Sequence, residues 1–141
     1  MPYAIGIVVS VGLAWWARFV NFDRSRVFYP TVLIVVASYY VLFAAMTGSV
    51  RTVLLECAGV ILFGTAAVAG FRSSVWIVVA GLAGHGTFDA VHGYVVENPG
   101  VPAWWPAFCL AFDVGAAASL AWLTQFRFPA PVADQTLFER P

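Results

Sequence analysis

The sequence predicts an all-α integral membrane protein, a single polytopic bundle of about five transmembrane helices. Of its 141 residues, 62% are hydrophobic and 10% are charged, whereas soluble domains carry roughly a quarter charged residues. Apolar runs of about 20 residues, the length that crosses the hydrocarbon core, recur between short polar breaks. These runs lack period-two alternation, which favours helices over a transmembrane barrel. The predicted spans are residues 3–20, 30–47, 50–71, 74–96 and 104–125, in one domain that covers 1–125.

The break between the fourth and fifth spans predicts a tight helical hairpin. It reads Glu-Asn-Pro-Gly-Val-Pro over residues 97–102. Proline presets its own φ and glycine accepts a positive φ, so Pro99 and Gly100 suit the central positions of a type II turn. After the last span, residues 126–141 contain three prolines and are predicted to form an extended cytoplasmic tail.

The arginines predict the orientation of the bundle. All seven basic residues are arginine, and alternation of the spans places six of them on one side. Such an excess is typical of the cytoplasmic side. The N-terminus is therefore predicted outside and the C-terminus inside, in a multi-pass protein of the inner (plasma) membrane. The six are Arg18, Arg24, Arg26, Arg72, Arg127 and Arg140, and Arg51 alone lies on the other side.

Charge and cysteine content exclude two classes of function. The formal net charge is zero and no basic patch is present, so nucleic acid is not expected as a partner. Cys57 and Cys109 have neither Cys-x-x-Cys nor zinc-finger spacing, so neither a disulfide framework nor a structural zinc site is expected. The expected surroundings are membrane lipid.

Five ionisable residues inside the predicted spans form the candidate site: Glu56, His85, Asp89, His92 and Asp113. An ionised carboxylate at mid-bilayer costs roughly 2.5–3.5 kcal/mol on insertion scales, so such groups face the bundle interior and have partners. No lysine or arginine lies in the interior of a span to neutralise them, since Arg18 and Arg51 are at span ends. Bound protons, a protonated histidine or a metal cation could each balance the charge.

Helical spacing and depth predict that these residues meet in the outer half of the membrane. At 100° per residue, His85, Asp89 and His92 share one face of the fourth span. Counted inward from the outer ends, Glu56 and Asp113 reach the same layer from neighbouring spans. Cys109, Tyr39 and Tyr40 reach a similar depth, but ordinary packing is the prediction for each of them.

The chemistry of the residues favours a metal centre. Histidine and carboxylate bind zinc, iron or manganese, and we predict a divalent transition metal, zinc or iron, held by residues of this set. His85 and His92 lie about 10 Å apart along the axis, so one ion cannot easily take both. Asp89, Glu56 and Asp113 are the candidate catalytic groups. Without metal the same residues would form a proton relay, or hydrogen bonds between helices.

The stretch from about Gly81 to Trp122 resembles a group of small bacterial multi-spanning membrane proteins. That group carries His-x-x-x-Asp-x-x-His, then a Pro/Trp-rich turn, then Cys-x-x-x-Asp. A second histidine often follows the last one in the group, where this chain has Gly93. The resemblance implies that the constellation is a motif, and it implies no activity. The matching elements here are His85, Asp89, His92, residues 99–106, Cys109 and Asp113.

Three functions fit these observations. The favoured one is a metal-dependent intramembrane enzyme, a hydrolase or an oxidoreductase, that acts on a lipid or small apolar substrate. The alternatives are a proton- or ion-coupled transporter and a non-catalytic membrane subunit. Five spans are few for a transporter, and paired spans broken by glycine or proline are not evident.

The predicted orientation can be tested by cysteine-accessibility labelling at positions 24 and 100. We expect a membrane-impermeant thiol reagent added outside intact cells to label position 100 only, because the two positions lie on opposite sides. Labelling of both from one side would overturn the orientation.

Overall fold

The chain folds as the predicted all-α bundle of five helices. A computed structural model describes residues 1–126, and residues 127–141, which hold nearly all of the predicted tail, lie outside this description. Predicted and observed bounds differ by no more than two residues. The helices are α1 (Pro2–Phe19), α2 (Phe28–Met46), α3 (Val50–Arg72), α4 (Val75–Val95) and α5 (Trp105–Phe126), with a short 3-10 turn at Phe22–Arg24.

Four of the helices, α1, α2, α3 and α5, are long and apolar enough to cross a membrane. The exception, α4, is 21 residues long but carries His85, Asp89 and His92, which lower its hydropathy. The structure thus confirms a helical bundle with candidate membrane spans. The number of helices that cross and their orientation stay predictions.

The packing order of the helices places α4 in the centre of the bundle. In space the order is α1, α5, α4, α3, α2, and α4 contacts α2, α3 and α5. Protein therefore surrounds the polar face of α4. Within residues 1–126, α1 packs on α5 and on the 3-10 turn but does not contact α2. An apolar groove is left between α1 and α2.

The Pro-Gly turn forms where it was predicted, but the prediction of type II geometry was wrong. The Val101 N–H donates to the Asn98 carbonyl at 3.1 Å, and the Gly100 N–H donates to the Asn98 side chain at 3.2 Å. Gly100 does not adopt a positive φ. Close packing requires a glycine at position 100 instead, because a Cβ there would overlap the Phe43 carbonyl of α2. The turn is thereby held against α2, and the exposed Ala103 is the better position for a label.

Small residues allow α1 to lie directly against α5. A Cβ on Gly6 would overlap the Phe108 carbonyl oxygen, and a Cβ on Gly115 would meet the Ser10 hydroxyl at 2.5 Å. Close approach of this kind is how helices associate in lipid, where no hydrophobic effect drives them together. The position of α1, and with it one wall of the groove, depends on these contacts.

We expect Gly6→Ala to destabilise the protein by roughly 1–3 kcal/mol, because the added methyl group forces α1 away from α5. Gly12→Ala is the matched control: it lies on the same helix with nothing within 4 Å of its Cβ position, and it gains roughly 1 kcal/mol of helix propensity. Thermal unfolding in detergent should show a lower Tm for the first variant only. Equal Tm values would contradict the packing argument.

Candidate functional site

All five predicted site residues are buried, between the middle of the bundle and the Pro-Gly turn. Their exposed fractions are 3% for Glu56, 1% for His85 and Asp89, 2% for His92 and 0% for Asp113. We call the end of the bundle formed by residues 97–102 the turn end. The structure divides the five residues into two groups.

The first group, which we call the Asp-His cluster, consists of His85 and Asp89 of α4 and Asp113 of α5. The Nδ1 atom of His85 lies 2.6 Å from Asp113 Oδ2, a hydrogen bond, and 3.5 Å from Asp89 Oδ2. The spacing of four residues on α4 places His85 and Asp89 one above the other. Gly86 lets α5 approach, since a Cβ there would lie 3.3 Å from the Asp113 Cβ.

The second group joins His92 of α4 to Glu56 of α3. The Nε2 atom of His92 lies 2.9 Å from Glu56 Oε1. Asn98 of the turn donates its side-chain N–H to the same oxygen at 2.8 Å. The Asn98 amide also donates to the Tyr40 carbonyl at 3.1 Å. This pair is therefore satisfied by protein partners from three elements.

Tyr40 of α2 connects the two groups. Its hydroxyl donates to Asp89 Oδ1 at 2.6 Å, and its ring stacks on the His92 imidazole with centroids 3.9 Å apart and planes 19° apart. Tyr40 is 2% exposed. The sequence analysis predicted only a packing role for Tyr40. Its depth, which matches that of the predicted site, was the signal that could have identified it as a site residue. Asn98 was also missed, although it is the polar residue before Pro99 in the turn that follows α4.

Aromatic rings cover the histidines. Phe63 presents an edge to His85 at 4.7 Å and 76°, and Phe88 does the same to His92 at 5.4 Å and 86°. These rings replace water around the imidazoles. Charged groups in the cluster are thus deprived of solvation and depend on their immediate partners.

The Asp-His cluster has more carboxylate than its partners satisfy. Asp89 Oδ2 and Asp113 Oδ1 are buried and have no hydrogen-bond partner in the described part of the chain. Two carboxylates face a single imidazole, so even a protonated His85 leaves the cluster one charge short of neutrality. The arginines of residues 1–126 lie at helix ends or between helices, at positions 18, 24, 26, 51 and 72.

The Asp-His cluster has donor atoms spaced for a metal ion. One ligand atom from each of the three residues lies within 4.8 Å of the others. Two ligands of a tetrahedral ion, each about 2.0–2.1 Å from it, lie about 3.3 Å apart, so the 2.6 Å bond between His85 and Asp113 would have to lengthen slightly. His92 and Glu56 stand apart from this cluster. The predicted ligand set therefore separates into three residues that could share an ion and a pair that is already satisfied.

An apolar groove lies beside the cluster. It runs between α1 and α2 over α5 and encloses about 770 Å³. Its lining includes Ile5 and Val9 on one wall, Val32 and Val35 on the other, and Cys109 in the floor. Cys109 is a free, buried thiol and lies one helical turn before Asp113 on the same face of α5. Cys109 thus separates the groove from the cluster.

Tyr40→Phe should destabilise the protein by roughly 1–3 kcal/mol, because it removes the donor to Asp89 and leaves a further buried carboxylate oxygen unsatisfied. The stacking on His92 is kept, so the effect isolates the hydroxyl. Tyr39→Phe is the matched control, since Tyr39 is 37% exposed. Chemical or thermal unfolding in detergent measures both variants, and equal losses would show that the Tyr40 hydrogen bond contributes nothing.

Comparison with known proteins identifies no relative of this chain. No protein-family model, no curated protein and no solved structure matches this chain. The resemblance to small bacterial membrane proteins stays a prediction, and the function must be argued from the Asp-His cluster itself.

Proposed function

We propose that this protein is a metal-dependent membrane hydrolase in which His85, Asp89 and Asp113 hold one divalent cation. The observation that carries the proposal is the pair of buried carboxylate oxygens, one on Asp89 and one on Asp113, that lack a hydrogen-bond donor. Buried polar atoms in folded proteins are almost always satisfied. An ion between them would supply the missing partner.

Charge supports a divalent ion in particular. With His85 neutral, the two carboxylates carry two negative charges, and a divalent cation brings the Asp-His cluster to neutrality. A proton on His85 would leave one negative charge, and burial in an apolar bundle makes an unpaired charge costly. The tyrosine hydroxyl then holds the Asp89 carboxylate in place.

The ligand types favour hydrolysis over oxidation. Non-haem iron oxygenases use two histidines and one carboxylate, whereas this cluster has one histidine and two carboxylates. Zinc and iron remain the predicted ions, and the oxygen-rich set also suits manganese. When bound, such an ion lowers the pKa of water and so supplies a nucleophile at neutral pH.

The roles of the side chains follow from their partners. Asp113 would bind the ion through Oδ1, the oxygen without a donor, and its other oxygen, Oδ2, beside His85, would accept a proton from the attacking water. Asp89 is a ligand oriented by Tyr40. Glu56, predicted as a ligand or base, is bonded to His92 and Asn98, so we assign it the positioning of His92.

The groove and the candidate spans support a substrate drawn from the membrane. A lipid or small apolar molecule reaching the Asp-His cluster through the groove would not have to cross water. If the predicted orientation holds, the turn end faces outward and the cluster lies in the outer leaflet of the inner membrane.

A proton-coupled transporter is the second candidate, because two hydrogen bonds of 2.6 Å link Asp113 to His85 and Tyr40 to Asp89. Such a chain can pass protons between buried groups. Protons bound to the carboxylates would also neutralise them, so metal content distinguishes this candidate from the hydrolase. A non-catalytic subunit leaves the two carboxylate oxygens unexplained.

Elemental analysis of detergent-purified protein, prepared without chelator, tests the proposal. We expect roughly one divalent ion per chain in the wild type. His85→Gln and Asp89→Asn should lose it, because amides are poor ligands for transition metals. The matched control is His92→Gln, the same change two turns along α4, which should retain the ion since His92 lies outside the cluster.

Each result separates the candidates once thermal unfolding has shown that the variants fold. Absence of stoichiometric metal in the wild type would favour the proton relay. Metal retained in both His85→Gln and Asp89→Asn would show that the ligands are other residues.

A further inference from the structure

We propose that the groove between α1 and α2 binds one acyl chain of a lipid from the membrane leaflet at the turn end and presents its upper part to the Asp-His cluster. The chemistry at the cluster rests on the proposed function. The binding of the chain does not, because it depends only on the shape and lining of the groove.

Each wall of the groove is about as long as one leaflet is thick. The wall on α1 extends from Pro2 to Leu13, and the wall on α2 extends from Phe28 to Tyr39. Each wall covers about 16 Å at 1.5 Å per residue, and half of the hydrocarbon core of a bilayer is about 15 Å thick.

The groove begins at the turn end and runs toward the centre of the bundle. The Tyr39 ring lies 5.0 Å from that of Trp105, the first residue of α5. On the other wall, Gly6 meets α5 at Phe108, and Ser10 meets it at Gly115. Both walls therefore descend from the level of Trp105, as an acyl chain descends from the interface.

The size of the groove suits a flexible hydrocarbon chain. Its volume of about 770 Å³ lies within the roughly 300–1,000 Å³ of ligand sites, and an acyl chain can follow walls that are about 16 Å long.

One polar group of the lining has no protein partner in the described part of the chain. Trp105 lines the groove, and its Nε1 atom is buried without a hydrogen-bond acceptor among residues 1–126. Indole N–H groups normally find a partner when buried. A lipid ester carbonyl at this level would accept that hydrogen bond, since it lies where the chain meets the interface.

The same placement brings the upper part of the chain near the cluster. Cys109 lines the groove and lies one helical turn, about 6 Å, below Trp105, while Asp113 lies a further turn below. A chain anchored by its ester at Trp105 would thus pass Cys109 with its first carbons, and these carbons would be the part of the lipid nearest the Asp-His cluster.

Photo-crosslinking tests the occupant. The full chain is reconstituted in phosphatidylcholine vesicles that contain a trace of phosphatidylcholine with a diazirine on one acyl chain, and labelled peptides are mapped by mass spectrometry. We expect labels on groove residues such as Val9, Val32 and Val35. Val9→Trp and Val35→Trp fill the groove from opposite walls and should abolish this labelling, while Leu62→Trp, on the exposed face of α3, should not.

Labels spread equally over Leu62 and the groove, or unchanged in both filling variants, would mean that bulk lipid alone is seen, and would overturn the proposal. So would a crosslink that shows a second polypeptide in the groove. Metal content of the same samples separates the two proposals. Groove labelling without bound metal supports the acyl-chain site and refutes the hydrolase, whereas metal without groove labelling does the reverse.

Discussion

The contact between His85 and Asp113 is the interaction on which the rest of the structure depends. It joins α4 to α5 through a 2.6 Å hydrogen bond in a bundle whose interior is otherwise largely apolar, where an unsatisfied carboxylate would cost several kcal/mol. The bundle must therefore wrap protein around α4. Helices α2, α3 and α5 do so, and each contributes a polar partner to α4: Tyr40, Glu56 and Asp113 respectively.

Two side chains, those of Tyr40 and Asn98, connect the buried polar groups to the surrounding helices. Tyr40 acts with both ends of its side chain, because its hydroxyl satisfies Asp89 while its ring covers His92. Asn98 closes the second pair from the loop and ties the turn to α2 and α3. No atom of the His92–Glu56 pair is fully buried without a partner among residues 1–126, whereas two oxygens of the Asp-His cluster have no donor. That asymmetry separates a structural pair from a candidate reactive centre.

The outlying position of α1 links this interior to the surrounding lipid. Since α1 contacts α5 but not α2, the floor of the groove is formed by α5 alone, and Cys109 of that floor lies beside the carboxylates. Glycines at positions 6 and 115 hold α1 at a short distance from α5. The same small residues thus decide the width of the groove and the route by which an apolar molecule could approach the Asp-His cluster.

The sequence by itself determined the five helices, their bounds, and the burial of Glu56, His85, Asp89, His92 and Asp113, because spanning length and the cost of charge in lipid act locally along the chain. Only the tertiary structure decided how these residues pair. Pairing depends on which faces of α3, α4 and α5 meet, and spacing within one helix carries no information about that. For the same reason Tyr40, Asn98, the close-packing role of Gly100 and the groove between α1 and α2 became visible only once the helices were packed.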